Sequence, residues 1–454
     1  MKRRDFLTHS ALLGVGIPMG MTSVALTSCT SGNLAGTQKV VSGEELGMFS
    51  FVEVAPDGKP LKAALVGCGS RGTGAATQFL SAGPHLSIVA LADVFPDRMD
   101  SCRKTLMDKF KNEVPDSNCF IGFDAYQKVM EMEDIDVVLL CTPTHFRPEH
   151  FKAAVEAGKH IFMEKPCAVD AQGIRTVIAA AKAAKAKGLT VISGTQRRHR
   201  RDYWEAYLQM KNGLIGDVVS ATAHWDQGAW WNKKKRPEWS DMEYCIRNWF
   251  NIKWLSGDHI LDQGVHNIDI VTWFMGMMPA SAVGFGGRAQ RLTGDIFDYF
   301  SVDYYYENGK RMLATARQID GCDNNVSEQI LGTKGVLYLD DRGGIRMVDY
   351  AGNELWKYDK EAMPVKNPYE QEHIHLVESI RLNKQINQAE DLAHSTLIAI
   401  LGREAAYTGK RISWNEIMAS TVKYGPDTYE MRALPDYHEG VVPVPGTAPK
   451  KPVM

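Results

Sequence analysis

A short apolar run, Leu61-Lys62-Ala63-Ala64-Leu65-Val66, passes directly into Gly67-Cys68-Gly69-Ser70-Arg71-Gly72 and then into an alanine-rich stretch. The run reads as a strand, the stretch as a helix, and the turn between them has the spacing G-x-G-x-x-G. Few folds need three glycines there. The first permits a tight turn, the second lets backbone approach a pyrophosphate, and the third lets helix and strand pack closely. Amides at the helix N-terminus, with Ser70 and Arg71 beside them, then face phosphates. A second strand, 87–92, ends in Asp93. An acid about 20 residues past the glycines suits a ribose 2′-hydroxyl and repels a 2′-phosphate. NAD is therefore favoured over NADP, with Arg71 and Arg98 as the nearby cations that would argue for the phosphate.

Strand-like and helix-like stretches keep alternating: 135–140 and 160–163 as strands, 148–157 and 172–187 as helices, 189–192 as a further strand. Such alternation gives a parallel, doubly wound sheet. Ligands lie beyond the carboxyl ends of its strands, which places Thr142, Pro143, His145, Glu164 and Lys165 along a cofactor crevice. This Rossmann half is expected over 58–193, a second half over 194–415, and a proline-rich tail over 416–454.

The chain begins Met1-Lys2-Arg3-Arg4-Asp5-Phe6-Leu7 and continues through an apolar, glycine-rich stretch, 11–26, to Leu26-Thr27-Ser28-Cys29. A basic start, an arginine pair and a short apolar region are the marks of a twin-arginine export signal. The final four residues look like a lipobox, in which Cys29 is lipidated. Residues 1–29 are thus expected to be a signal, 30–57 a tether, and the mature protein periplasmic and held to the membrane only through Cys29. The other seven cysteines have no paired spacing and read as packing residues. Basic and acidic residues number 52 and 54, for a formal net charge of −2, so no electrostatic footprint for nucleic acid exists.

Three further stretches carry chemistry. They are Cys141-Thr142-Pro143-Thr144-His145, then Glu164-Lys165-Pro166, and Asp262 with His266 in Gly257-Asp258-His259-Ile260-Leu261-Asp262-Gln263-Gly264-Val265-His266-Asn267-Ile268-Asp269. In this order behind the glycine loop they resemble the glucose–fructose oxidoreductase/inositol dehydrogenase (Gfo/Idh/MocA) family, over most of the chain. The resemblance implies a Rossmann domain followed by an α/β domain with a large open mixed sheet. It also implies a nicotinamide cofactor, a sugar or polyol substrate, and a homo-oligomer formed through the open sheet.

Oxidising a secondary alcohol needs a hydride acceptor and a group that removes the hydroxyl proton. A histidine suits the proton step. If 262–274 is helical, Asp262 and His266 share one face at i and i+4. Asp262 then orients His266 or hydrogen-bonds an adjacent hydroxyl, and Lys165 stabilises developing alkoxide charge. Lys165, Asp262 and His266 form the expected catalytic set, and Asp269 reads as a helix-surface carboxylate.

Gly194-Thr195-Gln196-Arg197-Arg198-His199-Arg200-Arg201-Asp202-Tyr203 opens the second half, either as a solvated basic helix start or as donors to substrate. Gln196, Arg198, His199, Tyr203 and His259 are second-tier substrate candidates. Six of the ten tryptophans fall between positions 225 and 254. Trp230 and Trp231, beside three lysines, read as an exposed loop that serves either as a carbohydrate platform or as packing. His373 and His375, two apart on a helix, face different ways and are not expected to chelate a metal. The tail reads as extended and suited to wrapping a neighbour.

Two rival readings accompany the dehydrogenase. An exported enzyme meets no nicotinamide pool, so tightly held NAD that is oxidised and re-reduced within one turnover suits it better. Glycoside hydrolase family 109 works this way, by transient oxidation at C3, elimination and water addition. The sequence departs from that group in keeping Glu164-Lys165-Pro166 and in having His199 where a tyrosine precedes Arg-Arg-Asp. The other rival is a non-catalytic sugar-binding lipoprotein on the same fold.

Overall fold

The three-glycine turn sits where the first strand of a parallel sheet ends. The computed structural model describes residues 40–340 and 343–447. Its first half holds β1 (Leu61–Val66), β2 (Leu86–Asp93), β3 (Cys119–Ile121), β4 (Val137–Leu140), β5 (His160–Met163) and β6 (Val191–Ser193). They run parallel in the order β3-β2-β1-β4-β5-β6, a Rossmann order whose direction reverses between β1 and β4. Buried on both faces, β1 and β4 are near-continuous apolar runs, which is why they are readable as strands. Helices Arg147–Glu156 and Ala171–Ala186 fall within a residue of expectation. Strand β3 carries too little periodicity in three residues to be seen in the sequence.

The second half is a nine-stranded mixed sheet built from β7 (Val218–Gln227), β8 (Ser281–Gly287), β9 (Tyr299–Tyr305), β10 (Arg311–Gln318), β11 (Asn325–Gly332), β12 (Gly335–Asp340), β13 (Gly344–Asp349), β14 (Glu354–Lys357) and β15 (Ile412–Ser413). The order is β14-β13-β12-β11-β7-β10-β9-β8-β15, and only β7 and β10 pair in parallel. Helices Val265–Met275 and Ala389–Thr408 cover one face, and the second of these also packs on Ala171–Ala186 of the first half. The period-two pattern of β9 and β10 buries Phe300, Val302, Met312 and Ala314 beneath those helices. Phe285, Tyr299 and Leu313 stand exposed on the other face.

Three expectations change. The helix expected over 262–274 starts at Val265, because Ile260–Gly264 forms a wider π-helical turn ahead of it. From Val40 onward the expected tether is packed rather than loose. Phe49 stacks on His199 and His375, Ala55 is buried, and the Val41 N–H donates to Asn212 Oδ1 at 2.7 Å. The tail, as far as residue 447, lies against its own chain rather than a neighbour. Tyr424 and Leu434 are buried, and the Tyr424 and Leu434 N–H groups donate to Asp170 and Asp241. The signal, Cys29 and the first part of the tether lie outside the described residues. No helix among the described residues is long and apolar enough to cross a membrane.

Candidate active site

The loop after β1 shows three different surroundings for its three glycines. Gly67 has φ +100°, and a Cβ there would lie 2.7 Å from the Cys141 carbonyl carbon. A Cβ on Gly72 would lie 1.8 Å from Gly67 O, whereas one on Gly69 would meet no protein atom within 4 Å. Turn, helix packing and an open backbone surface are thus divided among them as dinucleotide binding requires. The open surface faces a cavity of about 490 Å³ lined by Ser70, Arg71, Asp93, Thr142 and Pro143. Asp93 ends β2, where its carboxylate accepts N–H bonds from Cys68 at 2.6 Å and Phe95 at 2.9 Å. Burial raises its pKa. The residues fit an adenine dinucleotide.

His145 is not on that wall. It hydrogen-bonds Tyr429 at 2.7 Å and meets Trp254 edge-on, and burial pushes its pKa down to about 3. His150, one helical turn onward, lines the cavity in its place and contacts Thr142 Oγ1 at 3.2 Å.

At the other end of the crevice, Lys165 follows β5, its side chain largely covered but still 11% exposed. Its Nζ donates to the Asp262 main-chain carbonyl and lies 3.8 Å from Asp262 Oδ2. Burial lowers the Lys165 pKa, against the pull of Asp262 and Glu164. Asp262 also accepts from Gln263 Nε2 at 2.6 Å, so the π turn aims its carboxylate at Lys165 and Gln263 rather than at His266. His266 stacks on Trp225, with ring centroids 5.3 Å apart. Burial, followed by the charges of Lys165, Arg197 and Arg71, holds its pKa well below the ordinary histidine value. A neutral imidazole beside a buried ammonium can accept a proton while the ammonium steadies an oxyanion.

Glu164 fixes this corner to the glycine loop. Arg71 donates to Glu164 through Nε and to Glu372 Oε1 through Nη2 at 2.9 Å. Burial alone would raise the Glu164 pKa, but Arg71, Arg147 and Lys165 outweigh it and hold the pKa below the ordinary value. Arg147 donates to the Pro166 carbonyl and so supports the turn from beneath.

The second-tier residues separate. Gln196 reaches Tyr369 at 3.3 Å, and the Tyr369 ring lies under Arg71, so Gln196 borders the site. Arg198 does not. It makes two hydrogen bonds to Asp269, at 2.8 and 2.9 Å, and lies over Trp273. Asp269 is accordingly buried, not on the surface, and also accepts from Ser395 at 2.7 Å. His199 is interior, paired with His375 at 2.7 Å and Gln388 at 3.2 Å. Tyr203 is buried against Glu328, and His259 is buried with Nδ1 3.0 Å from Asp258. An apolar interior has claimed these polar groups as internal pairs.

Trp230 and Trp231 line the dinucleotide cavity, whose walls include none of Lys165, Asp262 and His266. His373 packs against Phe162 and His375 against Phe49, on different sides of their helix. No group of three metal-ligating side chains is gathered among the described residues. Sequence reading missed Arg197, Trp225 and Glu372. Arg197 lies over the Trp225 ring and pairs with buried Glu328, which backs the His266 wall. Its signal was present in the basic run, but nothing local distinguished it from Arg198.

This is a two-domain α/β protein with a dinucleotide crevice and a lysine/aspartate/histidine corner at one end. Residues 61–193 match "Oxidoreductase family, NAD-binding Rossmann fold" and residues 208–413 match "Oxidoreductase family, C-terminal alpha/beta domain". The chain belongs to this Gfo/Idh/MocA oxidoreductase family. It is 25% identical over 260 residues to inositol 2-dehydrogenase of Rhizobium meliloti, covering 56% of this chain and 68% of that one. Glycosyl hydrolase family 109 protein 1 of Bacteroides fragilis is 31% identical over 168 residues, a stretch covering 34% of each chain. Levoglucosan dehydrogenase in complex with NADH shares the fold, with a TM-score of 0.62 at 18% identity, covering 78% of this chain and 99% of that one.

Proposed function

We propose that the protein is an NAD-dependent oxidoreductase acting on a secondary hydroxyl of a sugar, polyol or glycoside. The observation that carries this reading is the Lys165–Asp262 pair beside His266, on a turn joined through Glu164 and Arg71 to the glycine loop. Inositol and levoglucosan in the names of similar proteins support the substrate class. Bound NAD would supply the hydride acceptor, held by Gly67, Gly69, Ser70, Gly72, Asp93, Thr142 and Pro143. His266, neutral at ordinary pH, takes the hydroxyl proton at an imidazole nitrogen. Lys165 donates to the same oxygen as its charge develops, and Asp262 keeps the ammonium in place. Asp93 favours NAD over NADP.

The similarity to a family 109 glycosyl hydrolase supports a second reading, in which NAD is retained and restored within one turnover. Incubating the protein with a panel of polyols and glycosides, with and without added NAD, separates the two. Stoichiometric NADH without bond cleavage marks the dehydrogenase. Catalytic aglycone release without net NADH marks the redox-neutral glycosidase, and neither product, with no bound nucleotide, marks a sugar-binding lipoprotein. Twin-arginine export and anchoring at Cys29 remain part of the proposal, supported by the order of Arg3, Arg4, the apolar stretch and Cys29. The exposed Phe285, Tyr299 and Leu313 of the open sheet support a homo-oligomer.

A further inference from the structure

We propose that residues 228–240 form an anchored roof over the adenosine half of the cofactor cleft. Trp230 and Trp231 are the faces that hold the adenine, and the Arg247–Asp97 pair is the latch. The inference rests on the dinucleotide reading above.

In a Rossmann sheet the acid that ends the second strand marks the adenosine end. Here that acid is Asp93, and Trp230, Trp231 and Trp249 line the same cavity. Trp230 and Trp231, adjacent in the chain, are 36% and 42% exposed. Trp230 is stacked on Phe250 with centroids 5.0 Å apart, and Trp231 meets Trp249 edge-on at 6.3 Å. Both rings are thus backed by other aromatics and have surface left for a flat partner. Nucleobases stack on such faces whatever their sequence identity.

The segment has no regular structure, yet it is tied down. The Ala229 N–H donates to Asp320 Oδ1 at 2.9 Å, the Lys233 N–H donates to Asn248 Oδ1 at 2.9 Å, and Asn251 Nδ2 donates to the Trp231 carbonyl at 3.2 Å. Arg247 then crosses from the second half to the first. Its guanidinium lies 3.9 Å over the Phe95 ring and donates twice to Asp97, at 2.9 and 3.1 Å. Asp97 opens the helix that follows Asp93, so the latch closes at the adenosine end itself. Lys233 lines the same cavity near Arg98 and Arg247, with no carboxylate in ion-pair range among the described residues.

A sugar platform is the other occupant considered for these tryptophans. A sugar reacting at His266 would have to share a cavity with them, and the cavity they line does not include Lys165, Asp262 or His266. With the roof latched, the dinucleotide leaves only when the segment lifts, and its release is slowed.

The test loads the full chain with NADH, removes the excess, and follows the fall in NADH fluorescence during a chase with excess NAD. The Trp230→Ala/Trp231→Ala double variant is expected to release NADH about tenfold to a hundredfold faster. The Trp230→Phe/Trp231→Phe variant is expected to restore slow release, because the stacking faces return. Arg247→Met, which keeps both tryptophans, is expected to accelerate release on its own. It also decides the matter if the double alanine variant does not fold. Equal release rates in wild type and variants overturn the roof and leave the dinucleotide reading standing. A wild type that carries no bound nucleotide and takes up no NADH overturns both.

Discussion

Arg71 of the glycine loop donates to Glu164 of the turn that carries Lys165, so one ion pair ties the loop to the corner formed by Lys165, Asp262 and His266. The same guanidinium reaches Glu372 on the helix Pro368–Arg381, far away in sequence. Two buried carboxylates therefore compete for one cation. Glu164 takes it with help from Arg147 and Lys165, while burial raises the Glu372 pKa well above its usual value.

Glu372 accordingly keeps its proton to a higher pH in the folded chain than in the unfolded one. An acid whose pKa is raised by folding holds more protons in the folded than in the unfolded chain, so its contribution to stability falls as pH rises. Glu372→Gln removes that slope. Urea unfolding is expected to show the variant gaining on wild type as pH rises above the ordinary glutamate value of about 4.3. A stability difference that stays constant as pH rises contradicts a raised Glu372 pKa.

The glycines separate folding from binding. Gly72→Ala would place a methyl 1.8 Å from Gly67 O, and we expect little folded protein. Gly69→Ala meets no protein atom and its φ of −66° suits alanine, so apo stability should stay within about 0.5 kcal/mol. NADH affinity should nevertheless drop by about tenfold or more, because the methyl occupies the pyrophosphate path. Calorimetric melting and NADH titration read the two effects independently.

His266 and Lys165 set opposite limbs of the pH profile. His266 must be neutral to accept a proton, and its lowered pKa puts the acid limb of kcat/KM below the ordinary histidine value of about 6.5. Lys165 must keep its proton, and its lowered pKa puts the alkaline limb below about 10.4. His266→Asn and Lys165→Met should each lower kcat by about a hundredfold to a thousandfold. Either variant retaining wild-type turnover removes that residue from the mechanism.

Arg198 is expected to matter for folding and not for chemistry. Arg198→Ala leaves Asp269 buried with Ser395 as its remaining partner, at a cost of about 3–5 kcal/mol. NADH affinity should not change. If the variant keeps its stability and loses substrate affinity instead, Arg198 belongs to the site after all.

What the sequence made readable follows from how local each signal is. Strands β1, β2, β4 and β5, the glycine turn and Asp93 are short contiguous patterns whose meaning does not depend on the rest of the chain. Lys165 and Asp262 were also legible, and the structure brings them within 3.8 Å. The tryptophans and the basic run were visible as composition only. Which of Arg197, Arg198, His199 and Tyr203 faces the site is decided by partners such as Asp269, His375 and Glu328, which lie far along the chain. Glu372 had no local signal at all, since only the fold brings it to Arg71. The π turn at Ile260–Gly264 escaped for a related reason: an i, i+4 pair reads the same in sequence whichever helix type carries it.

The last described segment has a consequence for the order of events during synthesis. Tyr429 closes on His145, Gly425 passes so near that ring that a Cβ would lie 2.7 Å from it, and Leu434 binds Asp241 beside the roof. These residues leave the ribosome after nearly everything they touch. A chain that has emerged only as far as the helix Trp414–Ala419 already has every strand of both sheets but lacks this cover over His145. The cover over His145 and Trp254 is therefore the last layer added, and the fold closes from its far end in sequence.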